Sequence, residues 1–252
     1  MFLRHFPKKL NSAFNYSTSK IMRNKSFFTS VLIAAALTLT GCATPQRHVS
    51  LSESTLPSKT QRVGVAMTPL PKVDMQLPGA NCLLCIAAAT LANSSLIDYT
   101  RTLPHEDLPK LKDSLAELLR KKGFNVIVIS EDLDISKLPD YSGKGIDIAE
   151  KDFSPLKQKY GIDKVILIQI TDLGMLRPYS TYFPTSEPKA ILKGVGSMVT
   201  LNNNAYEWYM PVDLAKGSEG PWDESPNFPG LSNAYFQVLE MGKDAFLKPF
   251  NN

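Results

Sequence analysis

Cys82-Leu83-Leu84-Cys85 is the stretch of this chain whose residue types and spacing could most directly do chemistry. In an oxidising compartment a CxxC pair is a redox dithiol, a structural disulfide or half of a metal site. A redox dithiol needs its thiolate stabilised by a helix N-terminus or a neighbouring cation. The nearest charges along the chain are Asp74 and Asp98, both anionic, which work against that. No second CxxC and no nearby histidine adds ligands, so no metal is expected. A bridge across so small a loop constrains the unfolded chain by about 2 kcal/mol at most. A disulfide and a pair of unbonded apolar thiols both stay open.

Other chemistry is sparse. Of three histidines, His5 and His48 lie near the start of the chain, and His105 stands beside Glu106 and Asp107, where a solvated helix start is the expectation. "GVGSM" (194–198) is neither a phosphate loop nor a nucleophile elbow, because Val199 stands where the elbow requires glycine. Close backbone packing or a bulge explains its glycines better. No catalytic residue and no cofactor is implied.

Contact is the better-supported class. From Leu83 to Leu96 there is no charge, and Leu83, Leu84, Ile86 and Leu91 lie among alanines. Such a segment is either a helix packed into the protein's own core or an insertion that docks on a partner or on a bilayer surface. Two Pro-rich connections, 175–189 and 216–230, carry Tyr179, Tyr182, Phe183, Trp222 and Phe228. Aromatics on such loops either recognise a partner or cover a sheet edge.

The third cysteine explains location. Lys20, Arg23 and Lys25 precede the apolar run 27–39, which is too short for a transmembrane helix of about 20 residues. Leu39-Thr40-Gly41-Cys42 then resembles the lipobox of bacterial lipoproteins, in which the cysteine thiol takes a diacylglycerol and becomes the first residue of the mature chain. Residues 1–41 thus read as a lipoprotein signal peptide, with both Met1 and Met22 open as the start. The resemblance makes Cys42 the lipidation site. Ala43, standing where an aspartate would retain the protein at the inner membrane, points to the outer membrane, facing the periplasm. Six of the 28 Lys and Arg lie in residues 1–41 beside no Asp or Glu, so the rest of the chain is slightly acidic. That removes the support for nucleic-acid binding, which draws its affinity from neutralising phosphates.

These residues must be held by a fold. Residues 42–60 read as the lipidated cysteine and a polar tether spanning roughly 20–25 Å. Residues 61–252 read as one periplasmic α/β domain with an apolar insertion at 74–98. Strands are expected at 62–70, 124–130 and 163–174, the last two apolar on both faces as in a covered sheet. The leucine spacing and Gly123 predict a helix over 104–123. Ser154-Pro155 opens a short helix that Gly161 closes. Strands 189–202 and 205–214 alternate like an antiparallel pair joined by "NNN" (202–204), and a helix over 232–250 closes the chain, capped by Ser232, with Tyr235, Phe236, Leu239 and Phe246 on its apolar side. The order implies a mixed parallel and antiparallel sheet with helices packed on it.

With Cys42, "KVILIQITDLG" and the hairpin "VTLNNNAYEWY" with its Trp208, the chain resembles the TolB amino-terminal-domain-like lipoproteins. That group includes the curli-secretion lipoprotein CsgG, penicillin-binding-protein activators and ABC-transport auxiliary lipoproteins. The resemblance implies an outer-membrane-anchored accessory or assembly factor that binds an envelope protein. Alternatively, it implies a homo-oligomeric secretion or pore-complex subunit, assembled through 79–96. A thiol-disulfide-active envelope protein using Cys82 and Cys85 is the reading of another class.

Overall fold

The computed structural model describes residues 46–52 and 60–251. The leader, Cys42 and the middle of the tether lie outside the described residues. Strand β1 (Arg62–Met67) runs parallel to β3 (Asn125–Val128) on one side and to β4 (Lys164–Leu176) on the other. Between β1 and β3 in sequence come the short strand β2 (Asp74–Gln76) and three helices, α1 (Leu83–Ala92), α2 (Ser94–Thr100) and α3 (Leu111–Lys121). The six-residue helix α4 (Pro155–Tyr160) leads into β4, ending on Gly161 at φ 62°. β4 then pairs antiparallel with β7 (Lys189–Thr200), and β7 with β8 (Ala205–Gly217). The sheet order is β3-β1-β4-β7-β8, with β2 pairing in parallel with the far end of β4. A two-residue pair, β5 (Tyr179–Ser180) and β6 (Phe183–Pro184), forms a separate hairpin.

Helices cover the sheet because β4 is apolar in both directions. Ile166, Ile168 and Ile170 point into a large core with Leu111, Leu115 and Leu119 of α3 and with Tyr235, Val238 and Phe246 of the closing helix α5 (Pro229–Asn251). Val165 and Leu167 point the other way, onto Leu156, Phe153 and Ile162. Asn204, at φ 58°, closes the β7–β8 turn. Its buried amide donates to the carbonyls of Ala149 (2.8 Å) and Lys151 (2.6 Å) and accepts from the Phe153 N–H (2.9 Å), which staples that second layer to the turn.

Several expectations are corrected. The helix expected over 104–123 begins at Leu111, because Pro109 lacks the N–H an α-helix needs and leaves a single 3-10 turn at Leu108–Lys110. β3 is an edge strand, so Ile127 and Val128 are only half-buried while Val126 is buried. α5 starts three residues earlier than expected, with Pro229 in its first turn. The Ser232 hydroxyl is no N-cap and donates to the carbonyls of Asn227 and Phe228. Phe236 lies on the exposed side of α5. The insertion 74–98 shrinks from both ends: β2 belongs to the main sheet, and Leu96 and Ile97 of α2 enter the main core.

The tether is also shorter than its composition suggests. Val49 and Tyr209 exchange both backbone hydrogen bonds (2.9 Å each) on the outer edge of β8, and the Arg47 guanidinium pairs with Asp147 (Nε to Oδ1, 2.8 Å). Pro211 is the next residue to face outward along that edge, and having no N–H it cannot extend the pairing to Arg47.

Candidate functional site

Helix α1 has an unusual burial pattern. Only Cys85 and Ala89 are buried, on Ala80 and Tyr179. The rest of its circumference faces outward, with Leu83 88% exposed, Leu91 76%, and Leu84 and Ile86 also exposed. The helix is therefore not the private core helix that its composition allowed. α2, which meets it at a 76° bend, returns the chain to the core.

Cys82 and Cys85 are joined by a disulfide (S–S 2.08 Å) at the start of α1. Cys82 is the N-cap residue, and its sulfur accepts the Cys85 N–H at 2.9 Å. Cys85 is buried and Cys82 exposed. The other end of α1 is held by Asn93, whose buried amide donates to the Ala89 carbonyl (2.7 Å) and to the Tyr179 hydroxyl (2.6 Å). Arg177 completes this footing by donating to Asn93 Oδ1 (2.8 Å) and lying over the Trp222 ring at 4.6 Å.

The β5–β6 hairpin lies beside the start of α1. Tyr179 and Thr181 donate backbone N–H groups to Pro78 and Gly79 carbonyls (2.7 and 3.2 Å), and the Tyr182 hydroxyl sits 3.7 Å from Cys82 Sγ. Gly79 is obligatory here: it takes φ 90°, and a Cβ on it would lie 1.8 Å from the Tyr179 carbonyl oxygen. At the hairpin tip Phe183 is 75% exposed and Tyr182 is exposed as well. No charged residue occurs between Asp74 and Asp98 or between Arg177 and Glu187. Helix and hairpin thus form one uncharged apolar surface.

The aromatic residues singled out by sequence divide into two kinds. Tyr182 and Phe183 belong to the exposed surface. Tyr179 is buried under α1, whereas buried Phe228 and half-buried Trp222 pack against the main core. Asn93 and Arg177, the footing of α1, carry no sequence motif that could have flagged them.

Elsewhere, His105 is half-buried with its Nδ1 enclosed and unpartnered, so the fully solvated expectation is corrected. Among the described residues, no group of three or more His, Cys, Asp or Glu is placed to hold a metal, and no single helix is long and apolar enough to cross a membrane. On the surface, the Tyr160 hydroxyl (2.6 Å) and Lys159 ammonium (3.0 Å) hold the Glu131 carboxylate down at about 2 by hydrogen bonding to its charged form.

No family model matches the chain, and no curated protein matches its sequence. Solved structures similar to it include a PelC dodecamer from Paraburkholderia phytofirmans, at 10% identity and a TM-score of 0.29, covering 82% of this chain and 96% of that one. Lipoprotein GNA1162 from Neisseria meningitidis is similar at 15% identity and a TM-score of 0.30, over 72% and 99% of the two chains. Protein XCC0632 from Xanthomonas campestris is similar at 11% identity and 0.31, over 81% and 93%.

Proposed function

We propose that the chain is an outer-membrane lipoprotein, lipidated at Cys42 and facing the periplasm, that serves as a protein-binding accessory or assembly factor of an envelope complex. It works by contact and not by turnover. The observation that carries this reading is the uncharged surface of α1 and the β5–β6 hairpin, left uncovered by the domain's own packing. Exposed apolar patches of this kind mark interaction sites. The leader and the lipobox-like Leu39-Thr40-Gly41-Cys42 supply the anchor, and Ala43 favours the outer membrane. The TolB amino-terminal-domain-like assignment belongs to the same proposal. It is supported by the parallel β3-β1-β4 half, the antiparallel β7–β8 hairpin and the placement of Trp208 on that hairpin.

A second reading makes the chain a homo-oligomeric secretion or pore-complex subunit, with α1 as its self-contact; the same uncovered helix favours it. Exchange chemistry at Cys82 and Cys85 would be a third, and thiol trapping of the native protein tests it.

The test of the proposal is metabolic labelling with palmitate, followed by fractionation and cross-linked capture of partners. Label should enter the wild-type chain, and Cys42→Ser should remain an unlabelled, uncleaved precursor. A Cys42→Ser protein that still fractionates with the outer membrane after salt washing overturns the anchor. A lipidated protein that runs as a closed ring in mild detergent favours the oligomeric reading.

A further inference from the structure

We infer that α1 and the tip of the β5–β6 hairpin enter the bilayer surface, giving the protein a second membrane contact besides its lipid. The inference rests on the lipid-anchor reading above and goes beyond it by naming what covers the exposed helix.

The distribution of apolar side chains around α1 selects the occupant. A helix that docks in a protein groove keeps a polar face for solvent. α1 keeps none: Cys85 and Ala89 face the domain, and around the remaining circumference stand Leu83, Leu84, Ile86, Leu91 and three alanines, with Thr90 the one polar side chain. A continuous apolar medium covers all those directions at once, whereas a folded partner would have to wrap the helix. The neighbouring hairpin tip adds Tyr182 and Phe183, residue types at home in the interfacial layer.

Dimensions agree. Ten helical residues rise about 15 Å, half of a hydrocarbon core about 30 Å thick. Because α2 turns back into the core at 76°, the apolar run dips out of the domain and returns. Both ends of α1 are tied, by the Cys82 cap and by the Asn93 amide, so few backbone groups at its termini lose water without replacement.

The chain leading to the anchor brings the bilayer close. Gln46 and Arg47 bond to Asp147, and Val49 bonds to Tyr209, so only residues 43–45 separate Cys42 from the docked segment. Four peptide units reach about 14 Å at full extension. Through the sheet register Tyr209 lies level with Leu167, whereas α1 packs beyond Leu176 at the other end of β4. Those levels are roughly 30 Å apart. A domain held at both places lies with its long strands along the membrane.

The experiment uses the full lipidated chain in vesicles of phosphatidylethanolamine and phosphatidylglycerol. Leu84→Trp and, separately, Phe183→Trp place reporters at exposed positions where the larger ring needs no repacking, with Trp208 and Trp222 as the background. The added emission should be blue-shifted and lose more than half its intensity when the acyl chains are brominated. An added emission quenched by aqueous iodide and indifferent to brominated lipid overturns the inference. An emission shielded from both quenchers, in a protein that sediments as a dimer, overturns it in favour of a second copy. Flotation reports the anchor independently: a floating protein without lipid quenching refutes this proposal alone. A chain that does not float refutes the anchor, and quenching by vesicles added from outside then decides whether α1 binds them.

Discussion

The benzo ring of Trp208 occupies the space where a side chain on Gly196 would begin. A Cβ on Gly196 would lie 2.2 Å from Trp208 Cη2. The buried ring also meets Phe250 of α5, edge-on with centroids 5.0 Å apart, so a shift of the indole disturbs that contact. The glycine makes room for the indole, and the indole fixes the closing helix on the sheet. Gly196→Ala should therefore destabilise the domain by about 1–3 kcal/mol through overpacking. Denaturant unfolding followed by tryptophan emission measures it; an unchanged midpoint would show that the ring shifts freely.

Burial separates two strands that look alike in sequence. Ile166 is fully buried, with β1 on one side and β7 on the other, whereas Val128 sits half-buried on the edge. Ile166→Ala should cost about 2–5 kcal/mol. Val128→Ala should cost about 1 kcal/mol or less, since part of its surface already meets water. Parallel denaturation curves check the contrast, and equal losses would contradict the strand order.

The tether docks through the Val49–Tyr209 backbone pair, through the bonds of Gln46 and Arg47 to Asp147, and through Leu51 packed against the main core. Val49→Pro removes the N–H that Tyr209 accepts. The melting temperature should fall only slightly, because the sheet and helices keep their own pairing and Leu51 is the core-packed side chain that the stretch contributes. Amide exchange at Tyr209 should quicken at least tenfold, and a protease should cut within 46–52 where it spares the wild type. Unaltered protection at Tyr209 would mean that its N–H has another partner.

The acid response of Glu131 has a defined sign. Its carboxylate is held at about 2, chiefly by the Tyr160 hydroxyl and then by Lys159, against an ordinary value of 4.5. A depressed folded-state value stabilises fully above the ordinary one and is lost as pH falls through about 2. Tyr160→Phe should raise the Glu131 value toward 4.5, read by side-chain carbon NMR across a pH titration. A titration midpoint that does not move would assign the depression to Lys159 and the backbone hydrogen bond at Glu131.

Much of the fold was legible because its elements obey local rules. The two-faced apolar pattern of β4, the leucines and Gly123 of α3, Pro155 and Gly161 around α4, and the asparagine turn before β8 each signal their structure directly. What was not legible depends on pairing at a distance. Nothing in "NVIV" says that β3 has a neighbour on one side only, and nothing in "DMQ" says that β2 pairs with the end of β4. The same holds for the candidate site. Composition identified the uncharged run containing Leu83, Leu84, Ile86 and Leu91, but its exposure follows from the Asn93–Tyr179–Arg177 footing, in which Asn93 lies more than eighty residues from the other two. The polar stretch around Val49 looked like free tether because one bridged residue has no sequence period.

That docked stretch gives the linkage two lengths. A pull directed along the chain from its start loads the Val49–Tyr209 bonds and the Arg47–Asp147 pair before any strand of the sheet. If these and the remaining contacts of the stretch, Leu51 against the core among them, all let go, the leash would run to Arg62, where β1 begins, and its full-stretch reach would grow from about 14 Å to about 70 Å. Tension would then pay out slack without unfolding the domain, and re-docking on β8 would take it in again.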